Sequence, residues 1–211
     1  MPEQATRSPV DPLVARASAL AGRGDRRLLG ITGAPGAGKS ILAAEISAAL
    51  GEQAVLVPMD GFHLAQARLA ALGLVATKGA IDTFDVGGFV QLLARLRAAD
   101  EPVVHAPEFH REIEEPVAGA IAVPRDIPLV VVEGNYLLVD SGEWRSVRPL
   151  LDEVWYVDPG EDQRMAWLMA RHMAFGRSRV EAEERALGSD QVNAALIQTT
   201  RNRADVVVLG V

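Results

Sequence analysis

The segment Gly33-Ala-Pro-Gly-Ala-Gly-Lys39-Ser40 constrains this chain more than any other stretch. It satisfies G-x-x-x-x-G-K-S/T, it follows the short apolar run 27–32, and it precedes a helical pattern from about Lys39 to Leu50 that Gly51 closes. A strand, a glycine-rich turn and a helix start, in that order, make a phosphate cradle. Glycines let backbone N–H groups turn inward where a side chain would collide with an anion. The first N–H groups of the helix, with the positive end of its dipole, point at the same place. A nucleoside triphosphate is therefore expected against Gly33, Ala34, Pro35, Gly36, Ala37, Gly38, Lys39, Ser40 and Ile41. Lys39, expected to stand exposed in the cradle, would neutralise the β- and γ-phosphates, and the Ser40 hydroxyl would ligate Mg²⁺. Guanine-specific GTPases commonly carry Asn-Lys-x-Asp, and no Asn-Lys pair occurs here, so ATP is the expected nucleotide.

The alternation of short apolar runs with helical patterns continues along the chain. Asp11-Pro12 reads as an N-cap followed by proline in the first helical position, within an N-terminal helical segment 1–26. Runs at 54–57, 128–132, 154–157 and 204–209 read as buried strands, and Pro102-Val103-Val104 begins another. Residues 61–84 read as a long irregular stretch with a short helix from Leu64 to Leu72, and 107–126 as a loop or edge hairpin. Asp85 is placed to cap a helix that buries Phe89, Leu93 and Leu96, and Asp158-Pro159 to start one reaching about Met173. Strands alternating with helices imply an α/β fold, a central parallel sheet flanked by helices on both faces. The 211 residues fit a single domain, 1–211. Ligands of such sheets lie at the carboxyl ends of the strands, which here carry Gly33, Asp60, Glu133 and Asp158.

Composition narrows the partners. A formal net charge of −7 leaves no basic surplus to displace phosphate counterions, so nucleic acid is not an expected partner. No apolar run approaches the roughly 18 residues of a membrane span. With no signal-like start either, a cytoplasmic protein is expected. The absence of cysteine removes disulfides, thiolate metal sites and cysteine nucleophiles. It also argues against a nucleotide-driven metallochaperone, because the four histidines, 63, 105, 110 and 172, show no ligand spacing.

Two strand-end carboxylates point to transfer chemistry. Glu133, at the tip of the run beside the cradle, stands where Mg²⁺ or its water shell would be met. Asp60 opens Asp60-Gly61-Phe62-His63, where a carboxylate can take the proton of a hydroxyl facing the transferred phosphate. Gly61 would let a substrate approach the backbone. His63 is placed either to hydrogen-bond a substrate hydroxyl or to pack as a structural histidine, and both readings stay open. A binding-only regulatory or assembly protein has no need of both carboxylates, so transfer of phosphate to a small-molecule hydroxyl is the leading reading.

Together these residues resemble the kinase family of uridine kinase, phosphoribulokinase and bacterial pantothenate kinase, and within it the small bacterial nucleoside/nucleotide kinase-like (fructose-kinase-like) branch. The resemblance runs from about Leu28 to Val208 and rests on 58–63 (PMDGFH), Lys78-Gly79-x-x-Asp82-Thr-Phe-Asp85, Pro107-x-Phe109-x-Arg111, 131–137 (VVEGNYL) and Arg171-His172. It implies Asp60 as catalytic base, Glu133 near the metal, and Lys78 and Arg111 near the acceptor. It further implies a helical lid at about 160–190 whose arginine reaches the transferring phosphate. Arg171 matches that arginine, and Arg164, two helical turns earlier, is a weaker second choice. The family commonly has aspartate where this chain has His110, a departure expected to bear on acceptor choice if that position touches the acceptor. Five Phe, two Tyr and three Trp offer little for stacking a base, which mildly favours a sugar-like acceptor over a nucleoside. The oligomeric state is not legible.

Overall fold

The computed structural model describes residues 10–209. In chain order its elements are α1 (Asp11–Ala21), β1 (Arg27–Thr32), α2 (Lys39–Leu50), β2 (Ala54–Pro58), α3 (Gln66–Leu72), α4 (Val86–Ala98), β3 (Val103–His110), β4 (Glu115–Pro124), β5 (Leu129–Glu133), β6 (Glu153–Val157), α5 (Glu161–Ala174), α6 (Arg179–Leu187), α7 (Ser189–Gln198) and β7 (Val206–Val208). Five strands form one parallel sheet in the order β2-β5-β1-β6-β7. β1 is central, so the turn that leaves it opens between the carboxyl ends of β5 and β6.

Alternation within each strand builds a core on either side of the sheet. Leu28, Val130, Val132, Val154 and Tyr156 pack on one face with Phe89, Leu93 and Leu96 of α4. Leu29, Ile31, Val131, Trp155 and Val157 pack on the other with Leu42 and Ile46 of α2 and Leu20 of α1. All five residues of β5 are buried, as a strand covered on both faces requires. The Asp85 carboxylate caps α4, accepting from the Gly88 N–H at 2.9 Å.

Several boundaries differ from the sequence reading. α1 contains Asp11 as its first residue, with Val10 at the cap and proline second. Asp158 does not start a helix: it pairs with Arg201 at 2.7 Å, and α5 begins at Glu161 after Gly160. The stretch read as a loop or edge hairpin is an antiparallel ribbon, β3–β4, that forms a sheet of its own rather than an edge of the main one. Its register shifts between Ala106 and Glu108, around Pro107. A two-stranded ribbon has an open edge on each strand, which is where proline is tolerated.

Candidate functional site

The glycine-rich turn closes over the start of α2. Gly38 stands at the helix cap with φ +91°, and no side chain caps the first turn, so its N–H groups face the concavity of the loop. The loop is braced from behind by α5. A Cβ on Gly36, which has φ +84°, would lie 2.7 Å from the Arg164 carbonyl and 2.8 Å from the Leu168 Cβ. Arg164 is only 4% exposed and donates to the Pro35 carbonyl at 3.0 Å, to Glu161 at 2.6 and 2.8 Å, and to Gln191 at 2.6 Å. This corrects the reading of Arg164 as a lid arginine facing the phosphate: its guanidinium is consumed in clamping the back of the loop.

Lys39 is not exposed either. It is 7% exposed, like Glu133, and its Nζ lies 3.6 Å from Glu133 Oε1. Burial pushes the Lys39 pKa down and the Glu133 pKa up, and each charge opposes the shift of the other. The Ser40 side chain also draws the Glu133 pKa down, against its burial. These groups meet the terms of a Mg²⁺ ion that arrives with a nucleotide, which needs one or two protein oxygen ligands and takes the rest from phosphate and water. Among the described residues no group of three or more His, Asp or Glu could hold a metal alone.

A cavity of about 500 Å³ opens beside Lys39 and Ser40. Asp60, His63, Lys78, Arg111, Glu133 and Arg171 all line it, so the residues singled out for catalysis and acceptor binding converge. Asp60 enters from the 3-10 turn after β2, Glu133 from the end of β5, and Arg171 from α5. Lys78 and Arg111 come from outside the main sheet. Residues 64–83 form an excursion whose ends are tied by Leu64 N–H to Thr83 O (2.9 Å) and Asp85 N–H to Phe62 O (2.8 Å). Arg111 follows β3 at the hairpin turn, its guanidinium 5.2 Å from the Phe175 ring centroid.

Local chemistry refines several roles. The Nδ1 of His63 lies 2.9 Å from the Asp60 carbonyl, which can only accept, so Nδ1 carries the proton and Nε2 is left an acceptor. Burial lowers the pKa of His63, which keeps the ring neutral. Lys78 Nζ donates to the Glu114 carbonyl at 2.5 Å and lies 5.0 Å from the Phe109 ring centroid. Gly61 does not leave room for a substrate, because a Cβ there would strike the Pro107 carbonyl; its role is to seat the ribbon against the turn. His110 is not among the lining residues and stands 3.6 Å from Glu108, so the departure at this position lies outside the cavity wall.

Sequence reasoning missed part of the wall. Asn135 lines the cavity with its Oδ1 buried and without a hydrogen-bond partner. It lies inside the motif 131–137, but nothing in its spacing marked it for a ligand. Arg177, Arg185, Asp190 and Asn193 also line the cavity, from the expected lid region and just beyond it. His172 Nε2 lies 2.7 Å from Asp190, and Arg177 donates to His172 Nδ1 at 3.0 Å. An arginine N–H can only donate, so Nδ1 accepts and the ring is a neutral Nε2–H tautomer. Burial lowers its pKa accordingly, against the pull of Asp190. A second cavity of about 300 Å³ shares Lys39, Ser40 and Arg171 with the first and adds the apolar side chains Ile41, Trp167 and Ala170. No described helix is long and apolar enough to cross a membrane.

Comparison with known proteins agrees with this architecture. A solved structure from Silicibacter sp. TM1040, named as a provisional fructose transport system kinase, is 34% identical, covers 96% of this chain and 99% of its own, and superposes with a TM-score of 0.84. An ATP-dependent kinase-like protein of Aspergillus versicolor is 37% identical over 72% of this chain and 94% of its own length. A Schizosaccharomyces pombe protein, provisionally named a uridine kinase, is 30% identical over 95% of this chain and 90% of its own. Residues 28–211 match the sequence model of the phosphoribulokinase / uridine kinase family. The chain belongs to that family, and it is a phosphotransferase that takes phosphate from ATP to a hydroxyl acceptor.

Proposed function

We propose that this protein transfers the γ-phosphoryl group of Mg·ATP to a hydroxyl of a small polyhydroxylated metabolite, a sugar or sugar-like compound ahead of a nucleoside. The observation that carries this reading is that Lys39, Ser40, Asp60 and Arg171 face one cavity of about 500 Å³, with Lys39, Ser40 and Arg171 shared with the smaller apolar one. The shared residues are where phosphate would lie. The base and ribose then extend over Ile41 and Trp167, and the acceptor occupies the larger cavity.

In the reaction the acceptor hydroxyl oxygen attacks the γ-phosphorus, the bond to the β–γ bridging oxygen breaks, ADP leaves, and the hydroxyl proton passes to the Asp60 carboxylate. Because the transition state of such transfers is loose, positioning and charge neutralisation carry most of the catalysis. Lys39 and the α2 N-terminus hold the phosphates. Arg171, whose guanidinium has no hydrogen-bond partner among the described residues, meets the charge on the transferring group. Ser40 and Glu133 would hold Mg²⁺, which when bound neutralises the β- and γ-oxygens. The neutral His63 offers Nε2 to a second acceptor hydroxyl. The rings of Phe84 and Phe109 lie 4.1 and 4.9 Å from His63, centroid to centroid, so both are engaged with His63 rather than offering a bare platform to a base. That arrangement, with the fructose named for one relative, supports the sugar class.

The test is ATP consumption across sugars, polyols, nucleosides and pantothenate, run with wild type and Asp60→Asn. The variant is expected to keep its ATP affinity and to lose about 10²- to 10⁴-fold in kcat, towards the low end because the transition state is loose. Undiminished turnover in Asp60→Asn would remove Asp60 from the chemistry. A nucleoside or pantothenate winning by more than about tenfold in kcat/KM would overturn the sugar preference.

A further inference from the structure

The cationic side chains of the larger cavity outnumber the nucleotide groups that would need them. Lys39 and Arg171 line both cavities, and the phosphates of an entering nucleotide meet them first. Arg111, Arg177 and Arg185 line only the larger one. No carboxylate is ion-paired with any of these three, nor with Arg171, among the described residues. The acidic residues of the wall are otherwise engaged: Glu133 with Lys39, Asp190 with His172, Glu114 with Lys78, and Glu181 with the Ser178 cap of α6. Only Asp60 stands free of such a partner. In a chain of net charge −7, this wall holds four arginines, Arg111, Arg171, Arg177 and Arg185, without an ion-pair partner among the described residues.

Arg111 is the best placed of the set. Its stacking on Phe175 joins the hairpin turn to the end of α5 and holds the guanidinium over the cavity. It also lies near enough to Arg171 for its charge to disfavour that of Arg171, so an anion between them would relieve repulsion.

We propose that the acceptor carries, besides the hydroxyl that is phosphorylated, an acidic group (a carboxylate or a phosphate ester) that Arg111 binds. This rests on the kinase reading with the acceptor in the larger cavity. A guanidinium presents two parallel N–H donors to either oxyanion, which a neutral sugar cannot answer.

The experiment compares matched acceptors with the full-length protein: gluconate against glucose, and ribose 5-phosphate and fructose 6-phosphate against ribose and fructose. Steady-state kcat/KM and equilibrium binding to the ADP-loaded protein are both read. An acidic member is expected to exceed its neutral parent at least about tenfold. Arg111→Gln should cut that ratio about 10- to 100-fold, and Arg111→Lys should restore part of it, since a point charge lacks the fork. The carboxylate and phosphate pairs separate the two acid classes. Equal use and binding of charged and neutral members in every pair would overturn the proposal. So would an Arg111→Gln variant that raises the KM for ATP and leaves the acid-to-neutral ratio untouched. Tight, Arg111-dependent binding of an acid without any transfer would overturn the claim that the bound acid is the acceptor, and would count against the acceptor reading of the larger cavity rather than against an anion site at Arg111.

Discussion

Replacing Arg164 by methionine separates a brace from a catalytic arginine. Methionine keeps most of the apolar stem and removes the guanidinium. The bond to Glu161 is worth little, about 0.3–0.5 kcal/mol, because that carboxylate is 59% exposed. The bond to the Pro35 carbonyl is different, since it is charge-assisted and buried and its loss leaves a carbonyl in the turn without a donor, at about 1.5–3 kcal/mol. Gln191 is half-buried and can turn to water, so its loss adds about 0.5–1 kcal/mol. The sum is about 2.3–4.5 kcal/mol. In a chain of 211 residues each kcal/mol moves Tm by about 2–4 °C, so a fall of about 5–18 °C is expected. The assay is thermal unfolding without nucleotide, because ligand binding would mask the loss, followed by kcat at saturating ATP. A brace predicts the lower Tm, weaker ATP binding and a kcat that changes little once ATP saturates. A Tm within about 1 °C of wild type with kcat down tenfold or more would refute the reasoning and put the guanidinium back on the transferring phosphate.

The other predictions test separate parts of the site. Lys39→Ala should abolish ATP binding and, because it strands the buried Glu133 carboxylate, also lower Tm; adding Glu133→Gln should recover part of the Tm and none of the binding. Trp167→Ala should raise the KM for ATP about 5- to 100-fold with little change in kcat, the range for losing one base–aromatic contact. Trp144 and Trp155 are buried in the core, so ATP-dependent quenching of tryptophan fluorescence should vanish in Trp167→Phe, and persistence of the quench would move the base elsewhere. His172, with its folded pKa lowered first by burial, takes up a proton in the unfolded chain before it does in the folded one. Its neutral form therefore contributes stability above about pH 6.5 that is lost as pH falls below it. Tm should be lower at pH 5.5 than at pH 7.5, with a smaller drop in His172→Asn; an equal drop in the variant would exclude His172 as a source.

How much of this the sequence disclosed depends on whether the signal was local. The turn 33–40, the strands around it and the Asp85 cap were legible because each is carried by neighbouring residues with a fixed period or a fixed cap. The strand order was not, since β5 lies beside both β2 and β1 through contacts that no periodicity encodes. Arg164 and Arg171 share a helical face, which made Arg164 a second choice for the lid arginine. Seven residues apart, they are separated by about 10 Å along the axis, enough for one to reach the back of the loop and the other its mouth. Lys39 was read as exposed because the Glu133 that covers it comes from β5, far along the chain. The polar side chains of α6 and α7 were not singled out for the site. Their engagement, as in the Arg177–His172–Asp190 chain, is tertiary and leaves no mark on spacing.

The same division explains why likeness to known kinases fixes the chemistry more firmly than the acceptor. The phosphate side of the site is built from the sheet, the turn after β1 and the ends of β2 and β5, elements whose geometry follows from the fold. The acceptor side is assembled from pieces that the sheet does not position. The Gly79 carbonyl receives hydrogen bonds from the Tyr136 hydroxyl (2.7 Å) and the Asn193 amide (3.2 Å), and the Lys78 carbonyl one from Arg185 (3.0 Å). The loop that offers Lys78 is thus held by α6, α7 and the segment after β5, while the hairpin that offers Arg111 touches α5 through one aromatic ring. A change in the Lys78 loop or the hairpin turn reshapes the acceptor wall without altering the turn after β1. Relatives can therefore share the sheet and the turn while carrying names as different as uridine kinase and fructose transport system kinase. For this chain, acceptor identity has to be read from Arg111, Arg177 and Arg185, which line that wall without an ion-pair partner among the described residues, and from Asn135, whose buried Oδ1 has no hydrogen-bond partner.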